Sequence, residues 1–318
     1  MEIAKRHYVT TFYQFIPLSN PEDIKAGLLK VAADLEMKGL VILGKEGINS
    51  TVSALSPETL ESFKAHIRSL TQNRDLFFKD SVSDIKPFRR FTVKIRDEIV
   101  TLKTPELVPD KNMNFHLSPK EWDRVLKEEK ENILLIDTRN WYETQIGTFK
   151  GSDIPPIEQF ADFPSYVEEK GVPKDKKVLI FCTGGIRCEK GILEMQRKGY
   201  HNTFQLDGGI INYIKEFPNQ EFEGECFVFD RRVALDQNLQ PTKKFALCPH
   251  DGQPAWTEIT CRRCGSPAKI SVESEKDPLK AVSCSKHCAY RLSQNFDEKG
   301  PKQFLPELDS DSLNEQNF

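Results

Sequence analysis

The segment 177–195 constrains the fold most strongly, because a short apolar run, a loop with paired glycines and an amphipathic stretch follow one another directly. The run Lys177–Phe181 is short and almost continuously apolar, which is typical of a strand buried on both faces of a parallel sheet. It ends at Cys182, before Gly184 and Gly185. The apolar positions that follow have helical spacing: Ile192, Leu193 and Met195. The sequence therefore predicts a strand, a tight loop and a helix.

Two further runs, Ile133–Asp137 and Thr203–Leu206, repeat this pattern, and the second leads into Asp207 and two glycines. Ser118, followed by Pro119 and three residues later by Glu121, is a helix-capping signature that opens this region. We expect a parallel α/β domain in the middle of the chain, with its chemistry at the carboxyl ends of the strands.

The first hundred residues have a different pattern. Strands are predicted at Tyr8–Phe15, Gly39–Gly44, Ile48–Ser53, Leu76–Phe78 and Phe91–Ile95, with helices beginning at Pro21 and Pro57. This order indicates a β-α-β-β-α-β ferredoxin-like module. The prolines of Thr104–Pro109 and the absence of an apolar period predict a linker, with a boundary near residue 105.

Cys182 is the main candidate for chemistry. Inward-pointing amides of a glycine loop and the positive end of the following helix both favour a thiolate. A lowered thiol pKa makes Cys182 a candidate nucleophile or carrier of a persulfide, with Arg187 placed to hold an anion. The alternative is a buried cysteine at a simple turn. Cys188 is a candidate resolving cysteine, or else a core residue of the helix, and Cys226 has the same two interpretations.

The last part of the chain contains two close cysteine pairs, Cys261 with Cys264 and Cys284 with Cys288. Four thiolates at this spacing are typical of a structural zinc site, and Gly265 suits the tight turn that follows the first pair. Unligated reduced thiols or a disulfide are the alternatives. Substitute ligands are also available in this segment: Cys248, His250 and His287.

Composition excludes several classes of protein. A chain of 318 residues is expected to form two or more domains, and its apolar runs fall far short of the roughly 18 residues of a membrane helix. The start at Met1 lacks the apolar region of a secretory signal. We expect a cytoplasmic protein with no membrane partner, whose eight cysteines are reduced.

Charge is unevenly distributed: residues 1–105 and 243–302 are net basic, and residues 106–242 are net acidic. This favours a polyanion bound by the flanks, and RNA loops are held by basic and aromatic surfaces. Candidate substrate-binding residues are Lys45, Asn49, Arg89, Arg90, Arg231 and Arg232, with Arg262 and Arg263 on the same proposed path. Ordinary solvated charges are the alternative, and Glu46 is a ready ion-pair partner for Lys45.

Three motifs carry a family resemblance: Ile136–Arg139 with Glu143, the loop Cys182–Arg187, and Leu206–Ile210. In order and spacing they resemble a rhodanese domain. Four residues separate the loop's cysteine and arginine, whereas related cysteine phosphatases have five, so the loop suits sulfur-sized chemistry. The resemblance implies that Cys182 is catalytic within a loop formed by Thr183, Gly184, Gly185, Ile186 and Arg187. It implies loop support from Asp137, Arg139, Glu143 and Asp207.

Flanking motifs extend the resemblance: Leu43–Thr51, Lys86–Arg90, Gly147–Gly151 and Cys226–Val233. With them, nearly the whole chain resembles the bacterial rhodanese-domain tRNA uridine hydroxylases. This implies oxygen-dependent conversion of the wobble uridine in the tRNA anticodon region to 5-hydroxyuridine, with molecular oxygen as co-substrate and no DNA partner. Ser152–Pro156 departs from the family's usual Ala- and Asn-containing stretch.

The expected fold class is α/β and α+β multidomain. We expect a ferredoxin-like, or acylphosphatase-like, domain at 1–105 and a rhodanese-like parallel α/β domain at 106–225. A small Cys-rich, candidate zinc-binding extension follows at 226–302, and an acidic disordered tail at 303–318.

The residues do not reveal the oxidant, because no signature of a flavin, haem or nicotinamide is present and no His-x-Asp or His-x-Glu pair occurs. Cys182 is expected either to add to C6 of the uracil ring or to carry an oxidised sulfur group. The main alternative function is a thiosulfate-type sulfurtransferase or persulfide carrier, although such a protein needs neither flanking module. A non-catalytic RNA-binding protein is a third interpretation.

Overall fold

The structure is a computed structural model that describes residues 6–110, 114–294, 296–297 and 300–301. The chain divides into two compact units, Met1–Thr242 and Lys243–Phe318. The finer division of the first unit at residue 105 stays a prediction, and the segment 226–242, assigned from sequence to the Cys-rich extension, belongs to the first unit. The tail expected to be disordered, 303–318, lies outside the described residues.

The first unit begins with a five-stranded sheet and two helices. Its elements are β1 (His7–Phe15), α1 (Pro21–Asp34), β2 (Lys38–Gly44), β3 (Gly47–Ala54), α2 (Pro57–Thr71), β4 (Lys79–Ser83) and β5 (Phe91–Ile95). The strand order is β4-β1-β3-β2-β5, and only β2 and β5 run parallel. Phe12, Leu28 and Phe63 lie in the core between sheet and helices. This confirms the ferredoxin-like prediction.

One strand is displaced from its predicted position. Leu76–Phe78 forms no strand, and pairing with β1 begins at Lys79, opposite Thr11. Leu76 is buried and the Phe78 ring packs at a tilt against Phe12, with 4.9 Å between ring centroids. The apolar residues therefore pack the core just before a polar edge strand, which has no apolar run of its own to reveal it.

A second, parallel sheet follows in the same unit. Its region contains β6 (His116–Leu117), α3 (Pro119–Glu128), β7 (Ile133–Asp137), α4 (Trp141–Thr144), β8 (Gly147–Phe149), α5 (Phe163–Lys170), β9 (Lys177–Phe181), α6 (Ile186–Arg197), β10 (Thr203–Leu206) and α7 (Gly209–Glu216). The order is β6-β10-β9-β7, with every pairing parallel. The three predicted strands and the Ser118–Glu121 capping box are confirmed.

Strand β9 is continuously apolar because helices cover both faces of its sheet. Leu179 and Phe181 pack with α3 and α7, whereas Val178 and Ile180 pack with α5 and α6. Since alternate side chains of a strand point to opposite faces, a strand buried on both faces needs apolar residues at every position. This sandwich holds the carboxyl end of β9, and with it Cys182, in a fixed position.

Helix α6 also joins this sheet to the N-terminal module. Lys190 is fully buried, and its Nζ lies 2.7 Å from Glu46 and 2.6 Å from Glu98. The expected pairing of Glu46 with Lys45 is thus replaced by an ion pair with α6. The unit is completed by β11 (Phe222–Gly224), which pairs with β8, and by β12 (Cys226–Phe227) and β13 (Ala234–Leu235), which pair together.

The second unit is small and built of short elements. They are β14 (Ala246–Leu247), β15 (Pro254–Ala255), β16 (Thr257–Thr260), β17 (Pro267–Ile270), α8 (Val272–Glu275), α9 (Lys286–Ser293), β18 (Phe296–Asp297) and β19 (Gly300–Pro301). Its apolar cluster centres on Cys248, Ala255 and Ile270. In the part of the chain that the structure describes, every helix is too short or too polar to span a bilayer.

Candidate active site and candidate metal centre

Cys182 follows β9 directly and is 2% exposed. The loop turns back on the sulfur, so that the amide of Gly185 donates a hydrogen bond to Cys182 Sγ at 3.1 Å. Gly185 has a φ of +98°, and a Cβ there would stand 2.8 Å from the Tyr13 hydroxyl. Glycine is therefore required at this position both by the turn and by the neighbouring side chain. Thr183, Gly184, Ile186 and Arg187 are only partly buried and leave the loop accessible.

The surroundings of Cys182 favour the thiolate. Burial by itself raises the pKa of this thiol, but a hydrogen bond from Cys188, the charge of Arg187 and loop amides outweigh burial and lower the pKa to about 6. The thiol of Cys188 keeps its proton, because burial and its hydrogen bond to Cys182 raise its pKa well above the ordinary value. At neutral pH the pair is therefore one thiolate and one thiol that donates to it.

Arg187 lies at the mouth of the loop, paired with a buried carboxylate. Its Nη2 donates to Glu143 Oε1 at 2.7 Å, and Glu143 is itself fixed by the amide of Asn140. Burial lowers the pKa of Arg187, but the charges of Glu143 and Cys182 raise it by more. The pKa is therefore higher than usual, and the guanidinium stays charged. Arg187 Nη1 and Glu143 Oε2 are buried without a hydrogen-bond partner among the described residues. The pair retains polar groups for a ligand.

Asp137 and Arg139, predicted to support the loop, form a fully buried ion pair with 2.6 Å between Arg139 Nη2 and Asp137 Oδ2. The same Nη2 donates to the carbonyl of Gly147, and Thr148 donates to Asp137. The pair thus fixes the connection between β7 and β8. Between them, Thr138 donates from its hydroxyl to the carbonyl of Phe181, the residue before Cys182.

The start of α7 holds the other side of the loop. The amide of Ile210 donates to the carbonyl of Cys182 at 3.0 Å, and a Cβ on Gly209 would lie 2.6 Å from that same oxygen. Gly209 is required by this close approach, and nothing in the sequence except its position in the Leu206–Ile210 motif indicated it. Asp207 is exposed and close enough to act electrostatically on Lys79.

Two residues of the N-terminal module complete the site, and the sequence analysis missed both. Tyr13 of β1 donates to Glu189 of α6 at 2.8 Å, and His116 Nε2 lies 3.0 Å from the same carboxylate oxygen. Lys79 of β4 is buried, with its ammonium 4.9 Å from the centre of the Tyr13 ring. Tyr13 and Lys79 lie more than a hundred positions from Cys182 in the chain, so no local signal indicates them.

The remaining buried thiol of this region is Cys226, in β12. Burial raises its pKa to about 12, so it stays protonated. Cys188, by contrast, touches the site: its sulfur lies 3.6 Å from the Thr138 hydroxyl, and it donates to Cys182.

Comparison with known proteins places this site in a family. A curated protein of Bdellovibrio bacteriovorus named tRNA uridine(34) hydroxylase is 56% identical over 306 residues, which cover 96% of this chain and 87% of that protein. The chain belongs to the tRNA uridine(34) hydroxylase family. Other members named in this way come from Legionella pneumophila strain Paris, 41% identical over 73% of this chain and 91% of its own length, and Prochlorococcus marinus subsp. pastoris, 34% identical over 90% of each chain.

Family models match the three parts of this hydroxylase-family chain separately. They are the UPF0176 acylphosphatase like domain at residues 7–99, the Rhodanese-like domain at 118–216 and the Rhodanase C-terminal model at 223–289. The predicted family and the predicted fold class are confirmed.

The basic residues expected to bind substrate in this family member separate into two groups. Lys45, Arg89, Arg90 and Arg231 are exposed, and the amide of Arg231 donates to the carbonyl of Pro87, which places it beside the loop that carries the other two arginines. Asn49 is bonded through its amide to the carbonyl of Ile99.

Arg232 does not have the exposure expected of a phosphate contact. It is 3% exposed, and its guanidinium is paired with Asp230 at 2.6 Å and bonded to the Ser81 hydroxyl. A buried, carboxylate-paired guanidinium holds structure together, so the structure argues against a direct role in binding substrate. In the second unit, Arg262 is exposed and Arg263 donates to Cys288 Sγ.

The second unit brings four cysteine sulfurs together. Those of Cys261, Cys264, Cys284 and Cys288 all lie within 4.8 Å of one another, with 3.4 Å between Cys264 and Cys284 and 3.7 Å between Cys284 and Cys288. A tetrahedral zinc ion with bonds of about 2.3 Å separates its sulfurs by about 3.8 Å. All four are free thiols, so the donor set fits a metal.

The turn after Cys261 has the geometry of a metal knuckle. Gly265 has a φ of +72°, as expected for the tight turn, and its amide donates to the carbonyl of Cys261. The substitute ligands considered from sequence lie elsewhere. Cys248 contacts Ser274, and the His250 ring is bonded to the carbonyl of Ser283.

Proposed function

We propose that this protein hydroxylates C5 of uridine 34 in tRNA, with Cys182 as the nucleophile and molecular oxygen as the source of the oxygen atom. The observation that carries the proposal is the buried Cys182 thiolate in a chain 56% identical to a tRNA uridine(34) hydroxylase. A thiolate next to a mobile pyrimidine ring is a competent nucleophile toward C6.

In this proposal the thiolate adds to C6 and leaves C5 electron-rich, so that C5 attacks an oxygen species derived from O₂. One oxygen atom stays on C5, and an external two-electron reductant with two protons converts the other to water; the thiolate leaves C6 when C5 loses its proton. The loop amide of Gly185 and the Arg187–Glu143 pair hold the sulfur and its charge in place before the base arrives. Glu143 and Arg187 also retain buried polar atoms without protein partners, which suit the polar edge of a uracil. Asp137, Arg139 and Asp207 support the loop through backbone and neighbouring contacts. Cys188 is the donor that maintains the thiolate, and it is also placed to resolve an oxidised Cys182.

The anticodon region of the tRNA is proposed to bind along the exposed basic residues Lys45, Arg89, Arg90 and Arg231. Their support is exposure together with the contact of Arg231 with the loop of Pro87. Lys and Arg on phosphates supply affinity that is independent of sequence and falls with salt. We place this activity in the cytoplasm, where tRNA is modified.

We further propose that the four cysteines of the second unit hold zinc. The support is the clustering of four thiols at distances that suit tetrahedral coordination. Four protein ligands close the coordination shell, so the ion would order the small unit and take no part in the chemistry.

The proposed function is tested by mass spectrometry of nucleosides from tRNA of cells that lack the gene, complemented with the wild type or with Cys182→Ala. Restoration of 5-hydroxyuridine at position 34 by the wild type alone is expected. Growth under ¹⁸O₂ should place the label in the new hydroxyl group. Loss of thiolated uridines with unchanged 5-hydroxyuridine would instead assign sulfur transfer to Cys182.

A further inference from the structure

Three lysines are buried among the described residues, and one of them differs from the other two. Lys64 and Lys190 each have two carboxylate oxygens within 2.7 Å of Nζ. For Lys79, the described part of the chain supplies no carboxylate at ion-pair distance; its ammonium faces aromatic rings, 4.9 Å from the centre of Tyr13 and 5.2 Å from that of Phe77. A buried charge that forms no direct ion pair is costly, so its position calls for a reason.

Lys79 lies on the side of the N-terminal module that contacts the Cys182 loop. The ring that its ammonium contacts belongs to Tyr13, whose hydroxyl lies against Gly185 of the Cys182 loop. Cys182, Asp207 and Glu189 are close enough to act electrostatically on Lys79. Burial lowers the pKa of Lys79, these three groups raise it, and the result is a pKa of about 8. Lys79 thus exists as both acid and base near neutral pH.

Addition of a thiolate to uracil creates a charge that such a group can stabilise. As the bond from sulfur to C6 forms, the electron pair of the C5–C6 double bond moves onto C5. The resulting negative charge is shared between C5 and O4 through the C4 carbonyl. A hydrogen-bond donor facing O4 lowers the barrier of this step. Arg187 directs its Nη2 to Glu143 and keeps Nη1 for another polar atom of the base, whereas the ammonium of Lys79 has no carboxylate at ion-pair distance among the described residues.

We propose that Lys79 is a catalytic residue, whose ammonium donates a hydrogen bond and then its proton to O4 of the target uracil while Cys182 bonds to C6. The inference rests on the proposed function. The S–C6 bond forms, the C5–C6 π bond breaks, the electron pair moves to O4, and the proton passes from Nζ to O4. The product is a neutral adduct and a neutral amine, and the step needs no oxidant. Lys79 regains the proton when the adduct returns to a carbonyl.

The experiment compares purified wild type, Lys79→Met, Lys79→Arg and Cys182→Ala in 5-hydroxyuridine formation on unmodified tRNA. Lys64→Met serves as the matched control for loss of a buried lysine. Lys79→Met should lower kcat by about 100-fold or more, since a general acid contributes at least that much, while KM for tRNA changes less than about threefold because binding is retained. In Lys79→Met, the rate at which iodoacetamide alkylates Cys182 at pH 8.5 should stay within about threefold of the wild-type rate. The kcat of Lys64→Met should also stay within about threefold of wild type.

The pH profile separates an acid from a structural lysine. In the wild type, kcat/KM should fall above about pH 8, where Lys79 loses its proton. Lys79→Arg should retain partial activity, and this falling limb should move up by about one pH unit or more, because a guanidinium stays charged. This variant also keeps the test decisive if Lys79→Met fails to fold.

Two results would overturn the inference alone: Lys79→Met with kcat near that of wild type, or an unshifted falling limb in Lys79→Arg. A wild type that leaves uridine 34 unchanged, or a Cys182→Ala variant as active as wild type, would overturn the proposed function and this inference with it.

Discussion

The Cys182 loop and the cluster of Cys261, Cys264, Cys284 and Cys288 differ in what surrounds each sulfur. Cys182 is separated from every cysteine except one, its charge is balanced by loop amides and Arg187, and it lies between a parallel sheet and the N-terminal module. In the cluster, four sulfurs face one another within 4.8 Å, in a unit with a small apolar core.

The difference shows how its surroundings decide whether a cysteine is suited to act as a nucleophile or as a metal ligand. A single thiolate held by hydrogen bonds keeps its lone pairs for an electrophile, whereas four thiols at one point repel as anions unless a cation joins them. The first arrangement needs a large, rigid fold around it. The second, once a metal ion is bound, would supply the rigidity that a small unit lacks.

Loss of one of the four clustered thiols should produce the largest effect on the second unit. We expect Cys264→Ser to reduce bound zinc from about one ion per chain to near zero and to lower the unfolding midpoint of this unit by about 10 °C or more, because structural zinc supplies folding free energy. Zinc content by atomic emission and a calorimetric scan of the full chain measure both effects.

Cys248→Ala is the matched control, because Cys248 is buried in the same unit and lies outside the cluster. It should retain the full zinc content. Cys182→Ala should retain it as well. Full zinc content in Cys264→Ser would show that the two sites do not differ in the way described.

A pair of glycines tests how tightly each sulfur's surroundings are packed. Gly209 and Gly265 have nearly equal φ values, +70° and +72°, but a Cβ on Gly209 would lie 2.6 Å from the carbonyl of Cys182, whereas one on Gly265 would meet nothing within 4 Å. Gly265→Ala should cost about 1–2 kcal/mol of stability, the left-handed strain alone. Gly209→Ala should cost about 2–3 kcal/mol more, because the loop must also move.

Urea unfolding of the full chain, followed with a probe in each unit, gives these two free energies. Equal losses of unfolding free energy in Gly209→Ala and Gly265→Ala would mean that the Cys182 loop accommodates a Cβ as readily as the turn of the cysteine cluster.

Sequence reasoning predicted the parts of the candidate active site that lie within one stretch of chain. The loop from Cys182 to Arg187 follows from a strand, two glycines and a helix in succession, and the paired cysteines of the second unit follow from spacing. Lys79 and Tyr13 were not identified, because the packing of one module against another brings them to the loop. The burial of Arg232 against Asp230 was not foreseen for the same reason, because it is a tertiary property.

The smallest expected effect concerns the neighbour of Cys182. Cys188 donates to the thiolate and lowers its pKa, so Cys188→Ala should raise the pKa of Cys182 from about 6 by roughly one unit, the worth of one hydrogen bond to a charged group. Only the thiolate is alkylated. Below the pKa the rate therefore rises about tenfold per pH unit, and at pH 5 the variant should react roughly ten times more slowly than the wild type.

Cys226→Ala is the control for this measurement, because Cys226 is an equally buried thiol whose pKa is raised to about 12 by burial. Removing a neutral thiol that does not donate to Cys182 should leave the alkylation midpoint unchanged, as read by mass spectrometry of the Cys182 peptide. An unshifted midpoint in Cys188→Ala would assign the thiolate to Arg187 and the loop amides alone. A shift would mean that a neighbouring thiol at this site acts by keeping its proton, whereas each thiol of a metal cluster acts by losing it.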